Sequence, residues 1–390
     1  MPRTILHLDL DAFFCAVEEL HDPSLRGKAF AVGGRPEERG VVASCSYAAR
    51  QFGVRSAMPM SRALRLCPGL LIVHHRHGAY GEMSGQVMQR LNELAPLVEQ
   101  ISIDEAFVDI SDIPRAPVET ARAIQGRVNR ELELPCSVGV AGNKLVAKIA
   151  TEVGKKSAQK TAPPNAITVV PPGEEAAFLD PLPIELLWGV GPKTAEKLNA
   201  YGIRTIGDIA RRPEADLVRW FGENGRELAE HARGVDERPL SSEHATKSIS
   251  QEITYSRDVR DDKLLADTLR EQAAQVGRQL RRADLAGTTV RLKLRWPDFT
   301  TLTRQVTLPQ PVDQDEQIYR VALELLRAVR PAGKAVRLIG VGVSGLGTPV
   351  RQLALWGQQD EKSRRLQQAL DQLHDRFGDQ AIRRGKKNQR

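Results

Sequence analysis

Three acids stand where acids are costly. Asp104 and Glu105 are adjacent inside "SIDEAFVDI" (102–110), an otherwise apolar, β-prone run, and Asp9 ends the alternating stretch "TILHLDL" (4–10). Successive strand residues point to opposite faces, so one of two adjacent carboxylates in an ideal strand enters the core with its charge. That is unfavourable unless something pairs with it. A turn or bulge at Asp104–Glu105 removes the conflict and lets both emerge at a strand end. Three gathered carboxylates repel one another and take up protons unless a hard divalent cation sits among them. Two such ions about 3.5–4 Å apart can clamp an in-line phosphoryl displacement. Taken alone, D-x-D at a strand end or an acidic pair in a turn also suits a solvated loop, so the rest of the chain must decide.

The elements that position these acids follow from periodicity. Residues 4–10 predict a half-buried strand with Leu6, Leu8 and Leu10 on one face and His7, Asp9 and Asp11 on the other; "DAFFCAVEEL" continues as a helix with Asp11 as its cap. Residues 40–66 predict a small mixed module, 77–95 and 115–131 helices, 99–110 strand on both sides of the acidic pair, "CSVGVA" a strand and "NKLVAKIATEV" (143–153) a helix. The Pro-, Lys- and Gly-rich stretch that begins at Gly154 predicts a loop. An all-helical block spans 174–235 and a linker 236–246. Residues 247–345 then run strand, long helix (262–283), strand pair (288–308), helix (314–330), strand (335–344), with a further helix near 360–377.

Composition narrows the class. The chain has 390 residues, 41% hydrophobic and 27% charged, which suits a globular protein of two to four domains. No apolar run is long enough to span a membrane, and the N-terminus carries acids where a secretory signal needs an apolar stretch, so the expectation is a cytoplasmic protein with no membrane partner. Cys15, Cys45, Cys67 and Cys136 are scattered and predict buried free thiols; "HHRH" (74–77) has no second ligand cluster and reads as a solvated basic loop rather than a metal site. The net charge of +7 is compatible with a polyanion. Residues 247–350 hold 17 Lys+Arg against 12 Asp+Glu, which points to the C-terminal half as the contact.

The segments "HLDLDAFFCAVEEL" (7–20), "VVASCSYAARQFGVRSAMP" (41–59) and "SIDEAFVDI", in this order and spacing, resemble the Y-family translesion DNA polymerases, in their DinB branch. "NKLVAKIATEV" and "LLWGVGPKTAEKL" (186–198) extend the resemblance, which runs from about residue 4 to residue 375. It implies an α+β multidomain right hand: a ferredoxin-like palm (1–12 and 76–166), small fingers (13–75), a helix-hairpin-helix thumb (167–235), the linker 236–246, a βα little finger (247–346) and a tail (347–390). It implies a template-directed, low-fidelity polymerase for lesion bypass without proofreading, using primer-template DNA and dNTPs. Asp9, Asp104 and Glu105, with the Leu10 carbonyl, would bind two Mg2+ per active site; Asp104 and Glu105 are the catalytic acids. Phe14 aligns with the aromatic steric gate that leaves no room for a ribose 2′-hydroxyl, and Ser44, Tyr47 and Arg50 with the residues that hold the triphosphate. Asp11 is not a ligand in the family. One departure stands out. The family's Lys-Pro-Asn-Gly stretch appears here as Pro163-Pro164-Asn165-Ala166 after an apparent insertion, "GKKSAQKTA" (154–162), so Lys155, Lys156 or Lys160 must replace its triphosphate-binding lysine, if any does.

The remaining motifs suit DNA. Gly189 and Gly191 in "GVGPK" permit a tight turn that presents backbone N–H groups, with Lys193 beside them, to a phosphate without reading sequence. "TVRLKLRW" (289–296) alternates strictly, placing Arg291, Lys293 and Arg295 on one face. Gln352, Leu353, Leu355 and Trp356 in "RQLALW" resemble the sliding-clamp-binding pentapeptide, and a monomer is expected. Two other classes use parts of this chain. A nucleotidyl cyclase would use the three acids without a primer-template, and a non-enzymatic DNA-binding protein would use the basic half without the acids.

Overall fold

The computed structural model describes residues 3–76, 78–157, 162–242, 245–349, 366–367, 369–373 and 376–377. It divides into two units, Met1–His244 and Ala245–Arg390. The division falls inside the segment 236–246 that its composition marks as a linker.

In the first unit, β1 (Ile5–Leu10) turns through a left-handed Ala12 into α1 (Phe13–His21). Then come β2 (Phe30–Gly33), β3 (Val42–Cys45), α2 (Tyr47–Gln51), α3 (Met60–Leu66) and β4 (Leu71–Val73), whose strands form a small sheet of order β3-β2-β4. Next are α4 (Ala79–Asn92), β5 (Val98–Gln100), β6 (Glu105–Asp109), α5 (Pro117–Leu132), β7 (Cys136–Ala141), α6 (Lys144–Ser157) and β8 (Ile167–Val169). They complete a five-stranded sheet of order β5-β6-β1-β7-β8, in which β1 is central and antiparallel to both neighbours.

The alternation of β1 is decided by what covers each face. Leu6, Leu8 and Leu10 join Ala106, Val108 and Val138 in a core closed by α1, α4 and α5 (Tyr80, Val87, Leu91, Ile124). Ile5 and Phe107 point the other way, onto Leu145, Val146 and Ile149 of α6. Both faces are therefore covered, and β1 is buried throughout rather than half-buried; its His7 and Asp9 are enclosed under α6. α6 lies close because Gly139 of β7 has no side chain. A Cβ there would lie 2.0 Å from the Ala147 carbonyl oxygen. α6 also runs past 153 to Ser157, so Lys155 and Lys156 are helical and not in a loop. Gly154 is a packing residue, since its Cβ would lie 2.4 Å from Thr168 Oγ1.

The helical block follows: α7 (Glu175–Leu179), α8 (Pro192–Ala200), α9 (Ile206–Ala210), α10 (Glu214–Phe221) and α11 (Glu223–Ala232). The second unit runs β9 (Ser248–Val259), α12 (Asp262–Arg282), β10 (Ala286–Arg295), β11 (Thr301–Val312), α13 (Asp315–Val329) and β12 (Val336–Gly347), the order its hydrophobic pattern predicts. Its antiparallel sheet has the order β11-β10-β12-β9. Val290, Leu292 and Leu294 pack under α12 and α13, and among the described residues of this unit no helix covers the opposite face of the sheet. All four cysteines are buried and free.

Candidate active site

Asp9 and Glu105 are cross-strand partners at the edge of the β1–β6 ladder, so their side chains share the face that α6 covers. Asp104 precedes β6. Its carbonyl accepts from Leu10 N (3.0 Å), and its carboxylate accepts from Ser102 Oγ at 2.5 Å. The chain bends at 102–104, and this bend resolves the conflict of two adjacent acids in one strand. Asp104 therefore does not converge with the other two: among the described residues, no three His, Cys, Asp or Glu side chains surround one point as a metal would require.

The positive partners come from α6. Lys148 Nζ is 2.7 Å from Glu105 Oε2, and Lys155 Nζ is 2.8 Å from Asp9 Oδ1. Thr151 Oγ1 lies 2.9 Å from His7 Nδ1, and Lys144 Nζ donates to both oxygens of Glu99 (3.2 and 3.0 Å) and to the Pro239 carbonyl (3.0 Å). Positions 144, 148, 151 and 155 form one stripe of a helix, each facing a polar residue of the sheet. Asp9 is 6% exposed, and burial first, with Glu105 beside it, pushes its carboxyl up to about 7 despite the Lys155 ammonium. Burial together with Lys148 and Lys155 holds His7 neutral, well below the usual histidine range. The start of this helix also grips the connector: Asp236 accepts from Leu145 N, Asn143 donates to the Gly234 carbonyl, and Ser241 N donates to Glu99.

Hard carboxylate oxygens that already hold two ammonium groups are a donor set that suits divalent cations. Asp9 and Glu105 meet that test as they stand; Asp104 needs its side chain turned away from Ser102.

Phe14 lies on α1, stacked on Tyr80 with ring centroids 4.1 Å apart and an angle of 17°. Tyr80 Oη donates to the buried Glu18 (2.7 Å), which also accepts from Arg76 Nε (3.3 Å), so the ring beneath Phe14 is fixed by a buried carboxylate. Ser44 is buried at the end of β3. The Arg50 guanidinium lies 4.5 Å over the Tyr47 ring and donates to the Cys45 carbonyl. Tyr47 Oη is buried and has no hydrogen-bond partner among the described residues. Its hydroxyl is held protonated by burial and by the charge of Asp11, which puts α2 beside the end of β1.

Asp11 does not cap α1. That position belongs to Ala12, which makes no side-chain cap bond. Asp11 is fully buried and accepts from Ser137 Oγ (2.9 and 3.0 Å) and Asn165 N (3.0 Å), so it fastens β7 and the loop before β8. Of the three candidate lysines, Lys155 enters the site. Lys156 forms no ion pair among the described residues, and Lys160 lies outside them.

Away from the acids, Gly189 has φ 98°, a left-handed turn, while Gly191 is the extended N-cap of α8 and Lys193 stands exposed in its first turn. Arg291, Lys293 and Arg295 share the face of the second unit's sheet opposite Val290, Leu292 and Leu294. Gln352, Leu353, Leu355 and Trp356 lie outside the described residues. Lys148, Thr151, Tyr80 and Ser102 were missed from sequence. The first two had a signal, polar residues at i, i+4, i+7 and i+11 within an apolar helix.

Comparison with known proteins gives one answer throughout. A model described as the impB/mucB/samB family matches residues 8–152, the C-terminal domain of that family matches 246–355, and its helix-hairpin-helix motif matches 172–203. DNA polymerase IV of Desulfatibacillum aliphaticivorans is 42% identical over 381 residues, covering 96% of this chain and 94% of that one. A Y-family DNA polymerase chimera superposes with TM-score 0.78 at 26% identity, over 88% of this chain and 99% of its own. An insertion ternary complex of Dbh DNA polymerase does so with TM-score 0.61 at 27% identity, over 88% and 99%.

Proposed function

Because the chain belongs to the Y-family DNA polymerases of the DinB type, we propose that the site between β1, β6 and α6 is where it joins a dNTP to a primer. The protein is a DNA-directed DNA polymerase, a nucleotidyltransferase of low-fidelity translesion synthesis that acts on DNA with dNTPs and depends on divalent metal. The observation that carries the site assignment is the facing pair Asp9–Glu105, each acid holding an ammonium of α6.

Asp9, Asp104, Glu105 and the Leu10 carbonyl would hold the metal, which we assign as two Mg2+. Metal bound there would supply a lowered proton affinity at the primer 3′-hydroxyl and offset charge on the leaving pyrophosphate. Before substrate arrives, Lys148 and Lys155 keep the buried acids from repelling one another. When a triphosphate enters, Lys155 turns from Asp9 to it; its place on Asp9 supports this lysine as the substitute for the one in the family's Lys-Pro-Asn-Gly stretch. Tyr47 Oη then finds the acceptor it lacks, and Arg50 presents a guanidinium fork. Ser44 lends a hydroxyl. Phe14, backed by Tyr80, fills the space a 2′-hydroxyl needs, so sugar selection is by overlap.

The hairpin at Gly189–Lys193 and the face bearing Arg291, Lys293 and Arg295 hold the DNA backbone without reading sequence. The boundaries 1–12 with 76–166 for palm, 13–75 for fingers, 167–235 for thumb and 247–346 for little finger are our assignment. So are a cytoplasmic monomer and the binding of a sliding clamp by Gln352, Leu353, Leu355 and Trp356. Among the described residues no helix is long and apolar enough to cross a membrane.

The test is extension of a labelled primer-template with dNTPs and Mg2+ by wild type beside Asp104→Ala. Extension that vanishes in a folded Asp104→Ala protein supports the site; extension that survives removes Asp104 from it.

A further inference from the structure

Lys293 of β10 and Glu252 of β9 form an ion pair of 2.7 Å although β12 runs between their strands. The register places Lys293 opposite Gly340 and Gly340 opposite Glu252. Two strand spacings separate the paired residues, about 9.5 Å. The side chains can meet across that gap because the residue between them is glycine. A Cβ at Gly340 would lie 2.7 Å from Glu252 Cβ, and one at Gly342 would lie 2.8 Å from Ser250 Cβ. β12 is thus the floor of a trough of about 180 Å³. Arg291 and Lys293 form one wall, Ser250 and Glu252 the other.

The walls are unlike. Arg291 bonds Gln305 and Arg295 bonds Thr301, both neutral, so those two charges stay available to an anion. Among the described residues, Lys293 is the member of this row that is paired with an acid. Both members of the pair are substantially exposed, 35% and 48%, so solvent screens it and a phosphate can displace it.

We propose that Glu252 is an affinity-setting residue of the DNA-binding face: it occupies Lys293 in the free protein, yields it when a backbone phosphate enters the trough, and remains beside that phosphate as a repelling charge. This rests on the reading that the Arg291–Lys293–Arg295 face binds the DNA backbone. Its functional meaning is weak binding by construction, which lets the enzyme leave after a few additions.

The experiment is the Kd for primer-template DNA across a salt series, for Glu252→Gln, for Glu252→Gln with Lys293→Gln, and for Arg291→Ala with Arg295→Ala, each with a melting curve. Wild type must break the Lys293–Glu252 pair to bind a phosphate, so Glu252→Gln should bind about five-fold tighter at low salt. The same phosphates are neutralised in both complexes, so the slope of log Kd against log salt should stay as in wild type, and Lys293→Gln should cancel the gain and make the slope shallower by about 0.9. More nucleotides added per binding event should accompany it. If the arginine pair weakens binding while Glu252→Gln leaves Kd unchanged, the assignment of Glu252 is wrong and the face stands. Weaker binding by a folded Glu252→Gln protein also overturns it, since Glu252 would then only position Lys293. If the arginine pair has no effect, the DNA face itself is wrong and the inference goes with it.

Discussion

Lysine meets carboxylate at almost the same distance in two places, with different consequences. At the palm, Lys155–Asp9 and Lys148–Glu105 measure 2.8 and 2.7 Å; on the second unit's sheet, Lys293–Glu252 measures 2.7 Å. Burial separates them. The Asp9 side chain is 9% exposed and its lysine 18%, against 48% and 35% for Glu252 and Lys293. Removing one partner of a buried pair leaves an uncompensated charge and costs about 3–5 kcal/mol. An exposed pair contributes about 0–1 kcal/mol and yields to competing anions. The α6 lysines therefore offset charge that burial would otherwise leave uncompensated, whereas Lys293 and Glu252 are held only by a solvent-screened contact. A contact distance by itself does not distinguish these cases.

The comparison is broken most directly at the acids. Asp9→Asn should reduce primer extension by roughly 10³-fold, the scale of a lost group that stabilises developing charge, while Glu252→Gln should not reduce it; equal losses in single-turnover assays would erase the distinction. Phe14→Val removes bulk and no charge. Discrimination against ribonucleotides should fall by roughly 10²-fold with the salt dependence of DNA binding unaltered, and single-nucleotide incorporation of both sugars checks it. Lys155→Ala should raise the apparent KM for dNTP by roughly ten-fold, the scale of one charge-assisted contact, and Lys156→Ala should not. If both leave KM unchanged in steady-state incorporation, Lys155 serves the acids alone. The least direct effect is on stability. Asp9 has its carboxyl raised from 3.8 to about 7, so between those values the metal-free folded state holds a proton the unfolded chain has lost. Its contribution is present below about pH 4 and disappears as pH rises through 7, at most about 1.4 kcal/mol per pH unit. Urea titrations in EDTA should show this slope in wild type and lose it in Asp9→Asn.

Much of the architecture was legible because it is local. Alternation in "TVRLKLRW" gave the basic face, and the second unit's order of strands and helices followed from hydrophobic period. The acids were legible as a contradiction, charges inside an apolar run, and the bend at 102–104 was the expected resolution. Their partners were not, because Lys148 and Lys155 meet Glu105 and Asp9 across 43 and 146 residues. No periodicity encodes such a separation. Gly154 misled for a related reason. In a lysine-rich stretch it looks like a helix end, yet its lack of a side chain serves the approach of α6 to Thr168. Asp11 at the start of a helix matched a capping pattern, and only the tertiary neighbours Ser137 and Asn165 gave it other work.

Helix α6 also behaves as a ruler. Its stripe from Lys144 to Lys155 covers eleven helical steps, about 16.5 Å at the helical rise. One end is fixed to the connector through Pro239 and Glu99, and the other to Asp9. A single residue inserted between those ends would turn everything beyond it by about 100° and take at least one lysine off its acid. Length can change only outside the ruled span. The stretch "GKKSAQKTA" respects this: its first two lysines, Lys155 and Lys156, stay on the helix in register.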